Sequence, residues 1–475
     1  MNNIVMKFGG TSVAGAERIA GVVSIARDFR AARLPHAPRE GGGRLVIVVS
    51  AFSGVTDALV QAAHSAAGRD EQTFRQVAQD LRQKHWAAID ALVPFGDRHA
   101  SLRAEVEALV SGFENLCRAV TILGELTPRG LDAVASLGER LSARIVAAAL
   151  REAGIASQAV EATALIVTDD CFTAATPQMD ATRAKTREVL LPLLEQGSVP
   201  VVTGFIGATA DGATTTLGRG GSDYSAAILS SCLDSDEIWI WTDVNGVLTA
   251  DPRVVPEAHT LPRISYSEAA ELSYFGAQVL HPKTMLPAME RDIPLRILNT
   301  FEPQHSGTLA TASAVNGHTV KAITAIQSLS QVTVEGRGMM GVPGIAAKVF
   351  SAVAQEGISV LMISQSSSEQ SICFVIRKQD SARAIAALER TFELELARRN
   401  VDHIWAQSDV AIVAVVGAGM RGTPGIGAKV FGALGKRGIN VISVAQGSSE
   451  CNISLVVTQD DAHAAVRAIH QEFEL

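Results

Sequence analysis

The stretch "IVMKFGGTSVAGAERIA", residues 4 to 20, decides how the fold is read. Three apolar residues lead into Lys7, then a Gly-Gly pair, two hydroxyl residues and a helical pattern. Glycines at a strand-to-helix corner let backbone N–H groups approach an anion, and the helix that follows presents its positive end. The common phosphate loop, GxxxxGK[ST], puts its lysine after the glycines and on the helix. Here Lys7 precedes Gly9 and Gly10 and still belongs to the strand. Taken alone, the corner fits a tight turn with an exposed lysine as well as it fits an anion site.

The rest of the chain supplies context. At 475 residues it is long enough for two to four domains. It is 47% hydrophobic and 19% charged, with 40 glycines and a net charge of −8. No apolar run approaches the ~18–20 residues that a membrane-crossing helix needs. Lys7 and the glycines interrupt the N-terminus too early for a secretory signal. Scattered Lys and Arg under a negative balance argue against a nucleic-acid groove. Five isolated cysteines, without CxxC pairs, read as reduced thiols of a cytoplasmic protein.

Up to about residue 310, short β-branched runs alternate with helical patterns. Strands are predicted at Ile4–Phe8, Leu45–Val49, Val199–Phe205, Glu237–Thr242 and Leu295–Leu298. Their near-continuous apolar character suits a largely parallel sheet, buried on both faces under helices. Residues 72–153 read as a helical layer with its own insertion, broken at "LVPFGD" and "LTPRG", and "HAPREGGGR" at 36–44 as an exposed loop.

The C-terminal part repeats itself with a shift of about 81 residues. "GMMGVPGIAAKVFSAVAQEGISVLMISQSSSEQSICFVI" from Gly338 and "GMRGTPGIGAKVFGALGKRGINVISVAQGSSECNISLVV" from Gly419 agree at roughly half their positions. Each copy predicts a βαββαβ unit. The expected division is a catalytic domain over 1–311 and two small α/β domains over 320–400 and 401–475.

Three further stretches carry chemistry. In "TTLGRGGSDYSAAIL" (215–229), Arg219 precedes a second Gly-Gly pair, with Ser222 expected at the N-cap and Asp223 in the first helical turn. Two such corners on neighbouring strands can hold a polyphosphate between them. "IWTDVNGVLTADPR" (240–253) ends a strand in Thr242 and Asp243, at the carboxyl edge where parallel sheets bind ligands. "SLGERLSARI" (136–145) puts Glu139 at a helix start, a place that the helix dipole alone favours for a glutamate.

With "KFGGTSV", "TLGRGGSDY", "WTDVNGV", "DPR" and "ELSYFGAQVLHP" (271–282) in this order, the chain resembles, over essentially its whole length, the aspartate kinases of the amino-acid kinase family. The repeat resembles their tandem ACT domains. The resemblance implies a three-layer αβα sandwich followed by two ferredoxin-like ACT units. It implies MgATP-dependent phosphorylation of the β-carboxylate of L-aspartate to 4-phospho-L-aspartate, the first step towards lysine, threonine and methionine. It assigns Lys7 to the β/γ-phosphates beside Phe8, Gly9 and Gly10, and Asp223 to holding that lysine. Thr56, Glu139, Arg219, Gly220, Gly221 and Ser222 fall at the aspartate. Thr242, Asp243, Leu248, Arg253, Gln278 and Val279 fall at the nucleotide. No metal ligand is assigned. Gln278 departs from the lysine that many relatives carry there. Residue chemistry agrees with the reaction: a carboxylate nucleophile with a pKa near ~4 is ionised at pH 7 and needs no base, and phosphoryl transfer needs positioning and charge neutralisation.

The turns "SQSSSE" (364–369) and "AQGSSE" (445–450) resemble the threonine-sensitive kinase of kinase–homoserine dehydrogenases, which implies that Gln365 and Gln446 contact threonine rather than lysine. Assembly as a homodimer or larger homo-oligomer through the ACT-like units is expected. So is either a kinase alone or the kinase part of a longer protein. Two alternatives remain: the same fold acting on glutamate, N-acetylglutamate or a nucleoside monophosphate, and a non-catalytic amino-acid sensor.

Overall fold

The computed structural model describes residues 3–37, 43–275, 282–313, 319–366, 368 and 370–475. Their contacts divide into two compact units.

The first unit is built on a sheet whose strand order, among the described residues, is Ser157–Val160, Val199–Thr203, Arg44–Val49, Asn3–Phe8, Glu237–Thr242, Leu295–Asn299, Thr308–Thr311 and Arg263–Ser265. The first six run parallel; Thr308–Thr311 turns antiparallel to its neighbour. Asn3–Phe8 lies in the middle, with Lys7 in register between Val48 and Ile240. Successive residues of a strand face opposite sides. Ile4, Met6 and Phe8 therefore enter one core, with Ile19 and Phe29 of the helix Ala16–Arg30 and Leu141 and Ile145 of Leu137–Glu152. Lys7 points to the other side, which the helix Gly221–Leu233 covers.

The helical layer expected over 72–153 is present as Glu71–Leu92, Asp97–Leu123, Pro128–Ala135 and Leu137–Glu152, with breaks at the two predicted places. The strand expected over Val199–Phe205 ends earlier, at Thr203: Gly204 and Phe205 form a turn in which Phe205 has φ 68°. Of the predicted loop at 36–44, residues 38–42 lie outside the described residues.

The second unit contains the repeat. Two strands of 14 residues, Ala322–Glu335 and His403–Val416, run antiparallel through both copies, with a register irregularity between Ile326 and Ser330. Leu329–Glu335 pairs with Ser371–Arg377, and Ser330–Glu335 also with 403–408; Val410–Val416 pairs with Asn452–Thr458, and Ile412–Val416 also with Ala322–Ile326. Each copy thus closes its sheet with a strand segment that continues into the other. Residues 403–408 pair with the first copy, along Ser330–Glu335. Leu248–His259 and Ser267–Phe275 pack with the second unit, where Ala250 and Val255 join a core with Val320, Val413 and Ile469. Local sequence pattern marks elements, whereas a domain edge depends on which apolar faces find each other.

Candidate functional site

In the central strands the chain reverses direction across the sheet, leading from Asn3–Phe8 to Arg44–Val49 on one side and from Glu237–Thr242 to Leu295–Asn299 on the other. Such a switch point opens a crevice at the carboxyl ends of the strands. Gly9 N–H donates to the Trp241 carbonyl at 3.2 Å and Ser50 N–H to the Phe8 carbonyl at 3.1 Å, holding the three strand ends together.

A cavity of about 540 Å³ opens beside this point. It gathers Lys7, Gly10, Thr56, Glu139, Arg219, Gly220, Gly221, Ser222 and Asp223, which are far apart in sequence. Lys7 Nζ lies 2.6 Å from Asp223 Oδ1, with side chains 12% and 17% exposed, so the cation is held yet still reaches the cavity. Arg219 is exposed. Gly220 takes φ 72°, a left-handed conformation that favours glycine, and it is the residue that caps the helix. Ser222 is therefore not the N-cap, as expected, but the second helical residue; it sits against Gly204, where a Cβ would stand 2.7 Å from its own.

Glu139 does more than complement a helix dipole. It is buried, and its Oε1 accepts the Ala51 N–H at 3.1 Å. Its Oε2 is buried without a partner among the described residues. Burial pushes its pKa up to about 8, against the opposing pull of the Ala51 amide, its own amide and the Lys7 charge. Gly138 makes this approach possible, since a Cβ there would stand 2.5 Å from Ala51 Cβ. A half-satisfied buried carboxyl in a cavity is a receptor for a cation or a donor.

The remaining assignments divide. Thr242 and Asp243 lie at the carboxyl end of Glu237–Thr242, Asp243 exposed. Phe8 is fully buried in the core, so only its backbone is available to a ligand. Leu248 and Arg253 belong to the second unit, where Arg253 pairs with Asp251 at 2.6 Å. Gln278 and Val279 lie outside the described residues. Gln365 lines a 290 Å³ cavity with Met339, Val342 and Ile345 of the first copy, and Gln446 ends the equivalent strand of the second, exposed. Cavity residues that the sequence reading missed include Asp132, Thr173 and Thr216. Asp132 carries no local signal, since its hydrogen-bond partners lie 41 and 84 residues away.

A parallel sheet with a lysine-bearing glycine corner, a second glycine corner and a regulatory-type repeat defines a class, and comparison with known proteins agrees. The amino acid kinase family model matches residues 2–299, and an ACT domain model matches 332–392 and 413–473. This chain belongs to the amino acid kinase family, with tandem ACT domains behind the kinase fold. Its relatives there are aspartokinases. Bifunctional aspartokinase/homoserine dehydrogenase 1 of Arabidopsis thaliana is 38% identical across 99% of this chain and 51% of its own length. Aspartokinase 3 of the same plant is 34% identical across 99% and 81%. The crystal structure of Escherichia coli aspartokinase III in complex with aspartate and ADP matches with a TM-score of 0.81 at 30% identity, over 99% of this chain and 100% of that one. The chain spans about half the length of the bifunctional relatives. Among the described residues, no helix is long and apolar enough to cross a membrane.

Proposed function

We propose that this protein transfers the γ-phosphoryl group of ATP to the β-carboxylate of L-aspartate, forming 4-phospho-L-aspartate. One observation carries the reading: the Lys7–Asp223 pair and the half-satisfied Glu139 share one cavity with Arg219. That set provides a fixed cation for a migrating phosphoryl group, a carboxylate for an ammonium and a guanidinium for a carboxylate. In this reading Glu139 ionises to receive the substrate ammonium, Arg219 grips the α-carboxylate through paired hydrogen bonds, and Thr56 and Ser222 complete the pocket. The β-carboxylate, already ionised, attacks without a general base. Lys7 stabilises the charge spreading over the equatorial oxygens, an interaction that strengthens in the transition state. The Gly10 amide is assigned to the phosphates beside Lys7; the Gly9 N–H is already given to the Trp241 carbonyl. Thr242, Asp243, Leu248, Arg253, Gln278 and Val279 are assigned to the nucleotide.

Mg²⁺ is expected with ATP. Such an ion keeps several waters and is held largely by substrate phosphates. The ion would supply charge neutralisation at the phosphate oxygens.

Residues 1–311 are taken to hold the catalytic machinery and the repeat to regulate it. Threonine, held by Gln365 and Gln446, is the proposed effector, and a homodimer through the repeat the proposed assembly. Five unpaired cysteines support a reducing compartment such as the cytoplasm. ADP release measured with aspartate, glutamate or no acceptor tests the reaction: release with aspartate alone is expected, and release with glutamate alone contradicts it. In the same assay threonine should inhibit cooperatively; inhibition by lysine and not threonine removes the effector assignment. Light scattering that gives a monomer removes the assembly.

A further inference from the structure

Asp132, on the short helix Pro128–Ala135, is 1% exposed and accepts three hydrogen bonds. Its Oδ2 takes the Thr173 and Thr216 backbone N–H groups, each at 2.9 Å, and its Oδ1 takes the Thr216 hydroxyl at 2.7 Å. These partners lie 41 and 84 residues away, on separate segments. Thr173 holds φ 72°, a conformation that a β-branched residue adopts only under constraint. Thr216 ends the strand Thr214–Thr216, three residues before Arg219. On the other side, Asp132 precedes Glu139 by seven residues through two consecutive helices, with Ser136 N–H returning to the Asp132 carbonyl at 3.0 Å. One carboxyl group therefore ties the backbone that presents Glu139 to the backbone that presents Arg219.

We propose that Asp132 is a positioning residue that fixes the separation between Glu139 and Arg219, and through it the chain length of the amino acid that fits. The inference rests on the reading of those two residues as the ammonium and carboxylate receptors. Geometry, not charge, is what it supplies. An asparagine can place its oxygen where Oδ2 stands and keep both amide bonds. Its NH₂ then donates to the Thr216 hydroxyl, which can switch from donor to acceptor.

The test compares Asp132→Ala, Asp132→Asn and Thr216→Val with the wild type in the full chain. Asp132→Ala should raise KM for aspartate at least ~10-fold, leave KM for ATP within ~3-fold, and reduce the preference for aspartate over glutamate by ~10-fold. Asp132→Asn should recover most of both losses. If Asp132→Ala does not fold, Thr216→Val, which removes only the hydroxyl, should raise KM for aspartate ~3-fold. Equal changes in both KM values, an unchanged KM with a lower kcat, or no rescue by asparagine overturns the proposal. Amide hydrogen exchange separates this from failure of the functional reading, because it needs no substrate. Exchange at Thr173 and Thr216 should quicken in Asp132→Ala and return towards wild type in Asp132→Asn. Unchanged local exchange contradicts the clamp even in an active aspartate kinase, whereas quickened exchange in a protein that does not bind aspartate contradicts the substrate instead.

Discussion

Glu139 has the sharpest consequence at the scale of single residues. Its carboxyl, pushed up to about 8 by burial, is protonated at neutral pH in the free protein, while an incoming ammonium needs it ionised. Binding aspartate then releases a proton. KM for aspartate should fall as pH rises from about 6 to 8, by up to ~10-fold per unit, and level off above 8. Glu139→Gln should abolish the slope; a wild-type KM that is flat across this range contradicts the assignment. The same shift acts on stability with a definite sign. A carboxyl whose folded pKa is raised costs the fold stability as pH climbs from the unfolded value near ~4.5 through the folded one, because the unfolded chain has already lost the proton. Lys7 and Arg219 stand beside Gly-Gly corners that mark them in the sequence, whereas Glu139 read locally fits the helix dipole alone and its burial beside Ala51 shows only in the fold. Asp132 was not legible, because its partners are separated from it by 41 and 84 residues and nothing local marks them.

Among the elements, the helix Leu137–Glu152 shows how packing sets a functional side chain. Gly138 lets its first turn rest on Ala51, and that contact brings the Ala51 N–H to Glu139. Gly138→Ala should push the turn away, lowering stability by ~1–3 kcal/mol as an overpacked core does, and raising KM for aspartate more than KM for ATP. A variant with wild-type melting temperature and kinetics would contradict the close approach. Strand and helix positions followed from periodicity, and the helical insertion broke where proline and glycine said it would. The errors are turn errors. Ser222 read as an N-cap because serine favours that place, yet Gly220, in the left-handed conformation, takes it. The strand read through Phe205 because the run is apolar, yet its backbone turns at Gly204.

On the level of the whole molecule, the repeat announced two copies but not that they share strands, nor that Leu248–His259 and the helix residues from Ser267 pack with them. Within that unit Glu268, fully buried, meets Lys321 at 2.8 Å and also accepts the Ala418 N–H at 2.7 Å. Breaking a buried pair by removing one partner typically costs ~3–5 kcal/mol. Lys321→Met should therefore destabilise the protein strongly in thermal unfolding, and adding Glu268→Gln, which keeps an acceptor for Ala418, should restore part of the loss. A double variant less stable than the single one contradicts that account. The reaction itself is tested most directly by trapping its product. With ATP, Mg²⁺, L-aspartate and hydroxylamine, the wild-type protein should form aspartyl hydroxamate, and Lys7→Met should form it at least ~100-fold more slowly at saturating substrates. Absence of hydroxamate from the folded wild-type protein, or an undiminished rate in Lys7→Met, would contradict the assignment of this cavity to acyl-phosphate formation.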